Sequence, residues 1–232
     1  EFLSMFIRAF KKDLPVSPAD WSEPAYTFAK ESNYPAHGLS DQGAKNSAIT
    51  RVQVAEIIAA AAGYHLEGDD AISYLLDAGY SYGKTGATVE GYAGQDPLTR
   101  AEAIQFIKNL NDKGFSSLGQ RPEGKMSWSN LQSAKSATQA IEALAAANPE
   151  YTVNKQAYSI TIGKDDTDLI IWLWYTPDWG DWNEIGIYDV TNAESVELAV
   201  AALKAQGVPV DDSLKTAIAE TNKTGEDRDV TA

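Results

Sequence analysis

Two arginines stand at the same place in two closely similar helix-opening tetrapeptides. Thr50-Arg51-Val52-Gln53 and Thr99-Arg100-Ala101-Glu102 lie 49 residues apart, preceded by Ile49 and Leu98 and followed by apolar-periodic runs. Thr at the N-cap with Gln or Glu three residues on is a capping box, each side chain taking the other residue's unpaired backbone N–H. The arginine has no part in that exchange. It falls at the first helical position, where the macrodipole is positive and a cation is mildly unfavourable. A guanidinium beside unpaired N–H groups is a seat for a carboxylate or phosphate. A solvated arginine on a capped helix is the plainer alternative for either copy alone, and repetition weakens it.

A second constellation lies in Trp172-Leu-Trp174-Tyr-Thr-Pro-Asp178-Trp179-Gly180-Asp181-Trp182-Asn-Glu184, which gathers four of the six tryptophans with three carboxylates. Paired carboxylates flanked by aromatics are the raw material of glycosidases. Nothing in the spacing fixes which carboxyl would stay protonated, and Trp172 and Trp174 share a strand face, as core residues of a small sheet would. The expectation is a structural or binding role for Trp172, Trp174, Trp179 and Trp182, with no catalytic residue. The run Asp165-Asp166-Thr167-Asp168 lacks the Gly and distant Glu of a calcium loop. His37 and His65 stand alone, and there is no phosphate-binding or dinucleotide motif, so neither metal nor cofactor is expected.

The elements that would position the two arginines repeat. Aligned on Gln53 and Glu102, the opening Glu1-Phe2-Leu3-Ser4-Met5-Phe6-Ile7-Arg8 reads as the same helix, so that Met5/Ile57/Phe106 and Phe6/Ile58/Ile107 fall in register. A repeat of about 50 residues is in the range of arrays of small helical units. Shorter helical patterns precede the later two copies, around Trp21–Ala29 and around Ala71–Leu76, the latter ended by Gly79. Gly, Ser and Pro interrupt the periodicity at 116–126, which predicts a linker.

The second half has a different grammar. An Ala-rich helix over 128–147 carries Leu131, Ala134, Ala137, Ile141 and Leu144 along one side and stops at Asn148-Pro149. Strands are predicted at Tyr158–Ile162, Leu169–Tyr175 and Glu184–Tyr188. Thr191-Asn192-Ala193-Glu194 reads as a capping box opening a helix to Gln206, with Gly207 at its end, before a short helix near Asp212–Glu220 and a frayed tail. The expected fold is two domains: a helical repeat domain over 1–115 and, after the linker, a small α+β domain over 127–232 of helix, antiparallel meander and helix.

Composition excludes more than it selects. The net charge of −14 argues against a nucleic-acid binder, which needs excess Lys and Arg, and against docking on anionic lipid. Without Cys there are neither disulfides nor thiolate metal sites. No apolar run approaches the roughly 20 residues that span a bilayer.

Taken as an ordered set, these motifs resemble S-layer homology (SLH) repeats, in which a Trp-bearing first helix and a Gly-rich loop precede Ile-Thr-Arg-Ala-Glu. The segment GYAGQDPLTRAEAIQFIKNL is similar to the second half of such a repeat, and ADWSEPAYTFAKE with ITRVQVAEIIAAAAG follows the pattern of a whole one. The chain is then expected to begin inside a repeat. The resemblance implies three core helices packed about a pseudo-threefold axis, with Phe6, Ile58 and Ile107 filling it. It also implies non-covalent binding of secondary cell-wall polysaccharide through a pyruvyl-ketal carboxylate, and hence an extracellular, wall-associated location on a Gram-positive-type bacterium. Carried over residue by residue, Arg51 and Arg100 meet the carboxylate, Thr50 and Thr99 serve as caps, Trp21 offers a face to a sugar ring, and Asp20 contacts a hydroxyl. Gly38 and Ser40 line the groove. The departures are Gln53 in place of Glu, a distorted loop at Gly38-Leu-Ser-Asp41-Gln-Gly43, and the lack of an Asp-Trp opening in the third repeat. Two alternatives stand beside the non-catalytic anchor: a wall-localised carbohydrate-active or other hydrolytic unit in the second half, and repeats used only for protein assembly.

Overall fold

The computed structural model describes residues 1–39, 41–147, 150–156, 159–164, 169–175, 183–205, 208–210 and 212–224. It is a mixed α and β chain in the order α1 (Phe2–Phe10), α2 (Glu23–Glu31), α3 (Gln42–Lys45), α4 (Arg51–Ala61), α5 (Gly68–Asp77), α6 (Val89–Tyr92), α7 (Arg100–Asp112) and α8 (Trp128–Ala146). Then follow β1 (Thr152–Lys155), β2 (Ser159–Gly163), β3 (Leu169–Tyr175), β4 (Asn183–Ile187), α9 (Ala193–Ala205) and α10 (Asp212–Thr224). Two compact units result, Glu1–Trp128 and Ser129–Ala232.

In the first unit α1 and α7 bury one amphipathic face each, Phe2, Leu3, Phe6 and Ile7 in the first and Ala103, Phe106 and Leu110 in the second, while α4 is buried nearly all round through Val54, Ile57, Ile58 and Ala59 to Ala61. Phe6, Ile58 and Leu110 are fully inaccessible. Ile107, expected to fill the centre, is half-buried. Phe106 and Leu110 take the interior instead, because the inward stripe of α7 runs through Ala103, Phe106 and Leu110 at helical spacing.

One device ends four of these helices. Asn33, Gly63, Gly79 and Gly114 have φ of 59°, 90°, 68° and 79°, and the next residue is aromatic each time: Tyr34, Tyr64, Tyr80 and Phe115. That residue's N–H returns to a carbonyl of the last turn, at Ala29, Ala59, Leu75 and Leu110 respectively. This is the Schellman closure, in which a left-handed residue releases the chain and the following side chain folds back over the helix end. The returned rings then meet one another. Phe115 packs on Phe10 at 5.0 Å and on Tyr80 at 5.9 Å, Tyr80 on Tyr74 at 5.9 Å, and Tyr74 on Trp128 at 4.9 Å. Edge-to-face contacts of this kind add roughly 0.5–1.5 kcal/mol each beyond burial.

Residues 116–126, expected to be a linker, are instead a docked strap. Gly119 N–H donates to Ala61 O at 2.7 Å, while the buried Tyr34 hydroxyl donates to Gly119 O at 2.7 Å. Arg121 Nε donates to Asn33 O at 2.5 Å, Asn33 Nδ2 donates to Arg121 O at 3.3 Å, and Met126 N–H donates to His65 O at 2.8 Å. Trp128, the first residue of α8, gives its N–H to Asp70 and its indole N–H to Asp77, at 2.9 and 2.7 Å. The segment has no regular secondary structure, so local composition reads as a loop; its hydrogen bonds go to residues far away in sequence.

The second unit is a four-stranded antiparallel meander of order β1-β2-β3-β4. Its register aligns Val153, Ile162, Ile171 and Ile187 in one row and Ile160, Leu173 and Ile185 in the next. Both rows join a core with Ile141 and Ala145 of α8 and Leu198, Ala199 and Ala202 of α9. The short polar β1 was not foreseen. Trp172 belongs to the other face, in the row Asn154, Thr161, Trp172, Gly186. Its indole lies across Gly186, where a Cβ would come within 2.1 Å of the ring, so it is not a residue of the main core. α9 begins one residue later than expected, because Thr191 gives both its N–H and its hydroxyl to Asp189; the cap is Asn192, which accepts from Glu194 N–H at 2.9 Å. The backbone alone is described for Ala134, Ala137, Leu144 and Trp174. Gly207 and the final stretch after Thr224 lie outside the described residues.

If 116–126 is a strap, Arg121→Ala lowers the stability of the first unit by about 1–3 kcal/mol in chemical denaturation, the range for lost hydrogen bonds from a charged donor. A linker arginine would change nothing.

Candidate binding cleft

Both capping boxes form as the sequence predicts. Thr50 and Gln53 exchange backbone N–H groups at 3.0 and 3.4 Å, and Thr99 and Glu102 at 2.9 and 3.3 Å. The two arginines between them have different fates.

Arg51 is 3 % exposed. Its Nε donates to Tyr92 O at 2.7 Å and its Nη1 to Glu102 Oε1 at 2.6 Å. The guanidinium lies over the rings of Tyr92 and Phe106, 4.6 and 5.4 Å from their centroids. Tyr92 answers by donating its hydroxyl to Arg51 O at 2.8 Å, and its burial pushes that phenol far above the usual range. The backbone donors of this helix start are also taken: Arg51 N–H goes to Asp96 O at 3.0 Å and Val52 N–H to Gly94 O at 2.8 Å. Thr50 pairs with Pro97 in an isolated bridge, and Leu98 N–H returns to Ile49 O. The expected anion seat at Arg51 is therefore closed. The macrodipole objection to a cation at this position is met by the Glu102 carboxylate and two aromatic faces, contributed by segments 41 to 55 residues further on.

Arg100 stays at the surface. Its side chain is 80 % exposed, and it forks the Glu1 carboxylate with Nε at 2.9 Å and Nη2 at 2.6 Å. Among the described residues no carbonyl takes the N–H of Arg100 or Ala101 as Asp96 and Gly94 take those of α4. Glu1 aligns with Glu102 in the repeat, so the two ion pairs are the same interaction stepped once along the array, α4 to α7 and α7 to α1. The third member of the series is Gln53, whose amide is 3.0 Å from His37 Nε2.

A cleft of about 730 Å³ is lined by Arg100, Thr99 and Glu1 together with Trp21, Asp20, Lys45 and His37. Trp21 is 56 % exposed. Asp20 is held well below the usual carboxylate range, first by Lys45 Nζ at 2.8 Å and then by the Ser22 hydroxyl and N–H. The Lys45 ammonium also lies over the Tyr26 ring at 4.8 Å. The Asp20–Lys45 pair leaves hydrogen-bonding groups of both kinds at the wall. Gly38, with φ of 89°, does not reach the cleft but shapes its rim, since a Cβ there would fall 2.5 Å from Lys45 Cα. Ser40 lies outside the described residues, as do Asp165, Asp166, Asp168, Asp178, Trp179, Asp181 and Trp182.

Four of the expected site residues thus share one cleft: Asp20, Trp21, Thr99 and Arg100. Arg51 and Thr50 are structural. Lys45, His37 and Tyr26 complete the cleft without any sequence signal beyond lying in the repeat's loop and first helix. Among the described residues no three His, Asp or Glu side chains form a metal-binding group, and no helix is long and apolar enough to cross a membrane. No family model, curated protein or solved structure matches the chain.

Burial works against ionisation of Glu102, but the Thr99 hydroxyl and N–H together with the Arg51 charge outweigh it, and the carboxyl lies below its usual value. The sign follows: a depressed carboxyl contributes stability that is fully present above its unfolded value, about 4.3, and is lost as the pH falls through the folded-state value. Glu102→Gln can keep the capping box, as Gln53 does in the first copy, but its one amide oxygen then serves Thr99 N–H, and Arg51 loses both the charge and the acceptor of Oε1. The substitution is expected to cost about 1–3 kcal/mol at pH 7 and to flatten the loss of stability between neutral pH and pH 3, as read by urea denaturation across that range.

Proposed function

We propose that the first unit is a non-catalytic, SLH-like anchoring module that binds an acidic cell-wall polysaccharide non-covalently, and that the chain works outside the cell on a Gram-positive-type wall. The observation that carries this reading is the convergence of the exposed Trp21 and the exposed Arg100 on one cleft. An indole face suits the apolar face of a sugar ring, and a guanidinium fork suits a carboxylate such as a pyruvyl ketal. The stepping of Arg–Glu pairs from α4 to α7 to α1 supports the pseudo-threefold arrangement that the repeats imply.

The charge distribution supports the reading as well. Within residues 1–128, twelve Lys and Arg face sixteen Asp and Glu, for −4, so that −10 of the total of −14 belongs to residues 129–232. The cleft-bearing unit is only mildly acidic, and an anionic polymer meets little long-range repulsion from it. With Arg51 closed, one site per chain is proposed rather than one per repeat. The second unit is proposed as an interaction domain.

The test is a titration with purified wall polysaccharide, intact and stripped of its pyruvyl groups. The intact polymer is expected to bind at one site per chain, and Arg100→Ala and Trp21→Ala each weaken it at least about tenfold, the loss of one charge-assisted contact or one stacked ring. Unchanged affinity in both variants would exclude this cleft.

A further inference from the structure

The carboxylate seat of Arg100 is already filled from within the chain. Glu1 meets the guanidinium by a two-point fork at 2.9 and 2.6 Å. Glu102 and Arg51 make the corresponding pair, and the comparison shows what each can do. The Arg51 guanidinium is 3 % exposed, holds Tyr92 O as well, and is covered by two rings; Glu102's other oxygen is engaged by the Thr99 hydroxyl at 2.7 Å. The guanidinium of that pair is shut off from solvent, although the Glu102 side chain stays 28 % exposed. The Arg100 and Glu1 side chains are 80 % and 55 % exposed, and the pair borders the cleft that contains Trp21. Ion pairs exposed to this degree contribute little and exchange readily.

We propose that Glu1 is an internal competitor for the ligand of this cleft: its carboxylate occupies the Arg100 fork until the carboxylate of an acidic sugar displaces it. The inference rests on the polysaccharide reading above and adds how that site is regulated. Glu1 takes one of the guanidinium's two forked edges, Nε with Nη2, and the other edge, Nη1 with Nη2, shares the Nη2 nitrogen. A second carboxylate on either edge would sit beside the first with like charge, which disfavours joint occupancy. The arriving group prevails because its sugar ring gains the Trp21 face, which Glu1 does not use. Displaced, Glu1 swings into solvent; α1 loses no cap, because no side chain caps it.

The experiment titrates the full chain, as wild type, Glu1→Gln, Arg100→Ala and the double variant, with pyruvylated and depyruvylated wall polysaccharide, each variant's melting curve confirming its fold. Glu1→Gln is expected to tighten binding of the pyruvylated polymer roughly two- to fivefold, the worth of an exposed ion pair. It should leave the depyruvylated polymer unaffected and show no gain once Arg100 is removed. Unchanged or weaker binding by Glu1→Gln, with Arg100→Ala still defective, overturns the competition and leaves the polysaccharide reading standing. Wild-type binding that is absent, or indifferent to Arg100, removes both.

Discussion

The first unit depends on the placement of one guanidinium. Arg51 opens α4, yet it is held by residues that arrive much later in the chain: the Tyr92 carbonyl after α6, the Glu102 carboxylate in the first turn of α7, and the rings of Tyr92 and Phe106. A buried cation is costly unless it is paired and hydrogen-bonded. Every partner must therefore be in place before Arg51 can be. That requirement joins the start of one core helix to the start of the next and to the loop between them. It also closes the helix end that would otherwise attract anions, since the same loop supplies Asp96 and Gly94 carbonyls to the free N–H groups.

The same pair one step on, Arg100 with Glu1, lacks that cover. Identical chemistry at equivalent positions thus gives a structural clamp in one place and an exposed fork in the other, and the difference lies in burial. Around the fork stand the groups that the proposed sugar acid would use: an indole at Trp21, a neutralised Asp20–Lys45 pair with donors and acceptors, and a rim shaped by Gly38. On the proposed reading, binding falls to the exposed pair rather than to the buried one.

How much of this was legible in the residues follows from the range of each interaction. Capping boxes are closed within four residues, and both were read correctly from Thr50/Gln53 and Thr99/Glu102. The longer helices and three of the four strands follow from periodicity, whereas the four-residue α3 and α6 carry no such signal. The four left-handed closures, each followed by an aromatic, are equally local and stand in the sequence as Asn33-Tyr34, Gly63-Tyr64, Gly79-Tyr80 and Gly114-Phe115; only the stop at Gly79 was read. Most of the misreadings involve distant partners; the Thr191 cap is a local exception, engaged by Asp189 two residues before it. Arg51 looked like a ligand arginine because no window of the sequence shows Tyr92 and Glu102 beside it. The strap looked like a linker because Gly, Ser and Pro mark it, whereas Ala61, Asn33 and Tyr34 anchor it. Trp172 was assigned to the sheet core by strand alternation alone, which cannot say which face meets α8 and α9. Lys45 gave no sign at all, since one lysine in a loop has no pattern.

Double-mutant cycles on the two equivalent pairs test the central claim most directly. Burial as the deciding variable predicts a coupling of about 1–3 kcal/mol between Arg51 and Glu102, measured by denaturation of the single and double alanine variants at pH 7. It predicts a clearly smaller coupling between Arg100 and Glu1. Equal couplings, or a larger one for the Arg100 pair, would contradict the division into one clamp and one exposed fork.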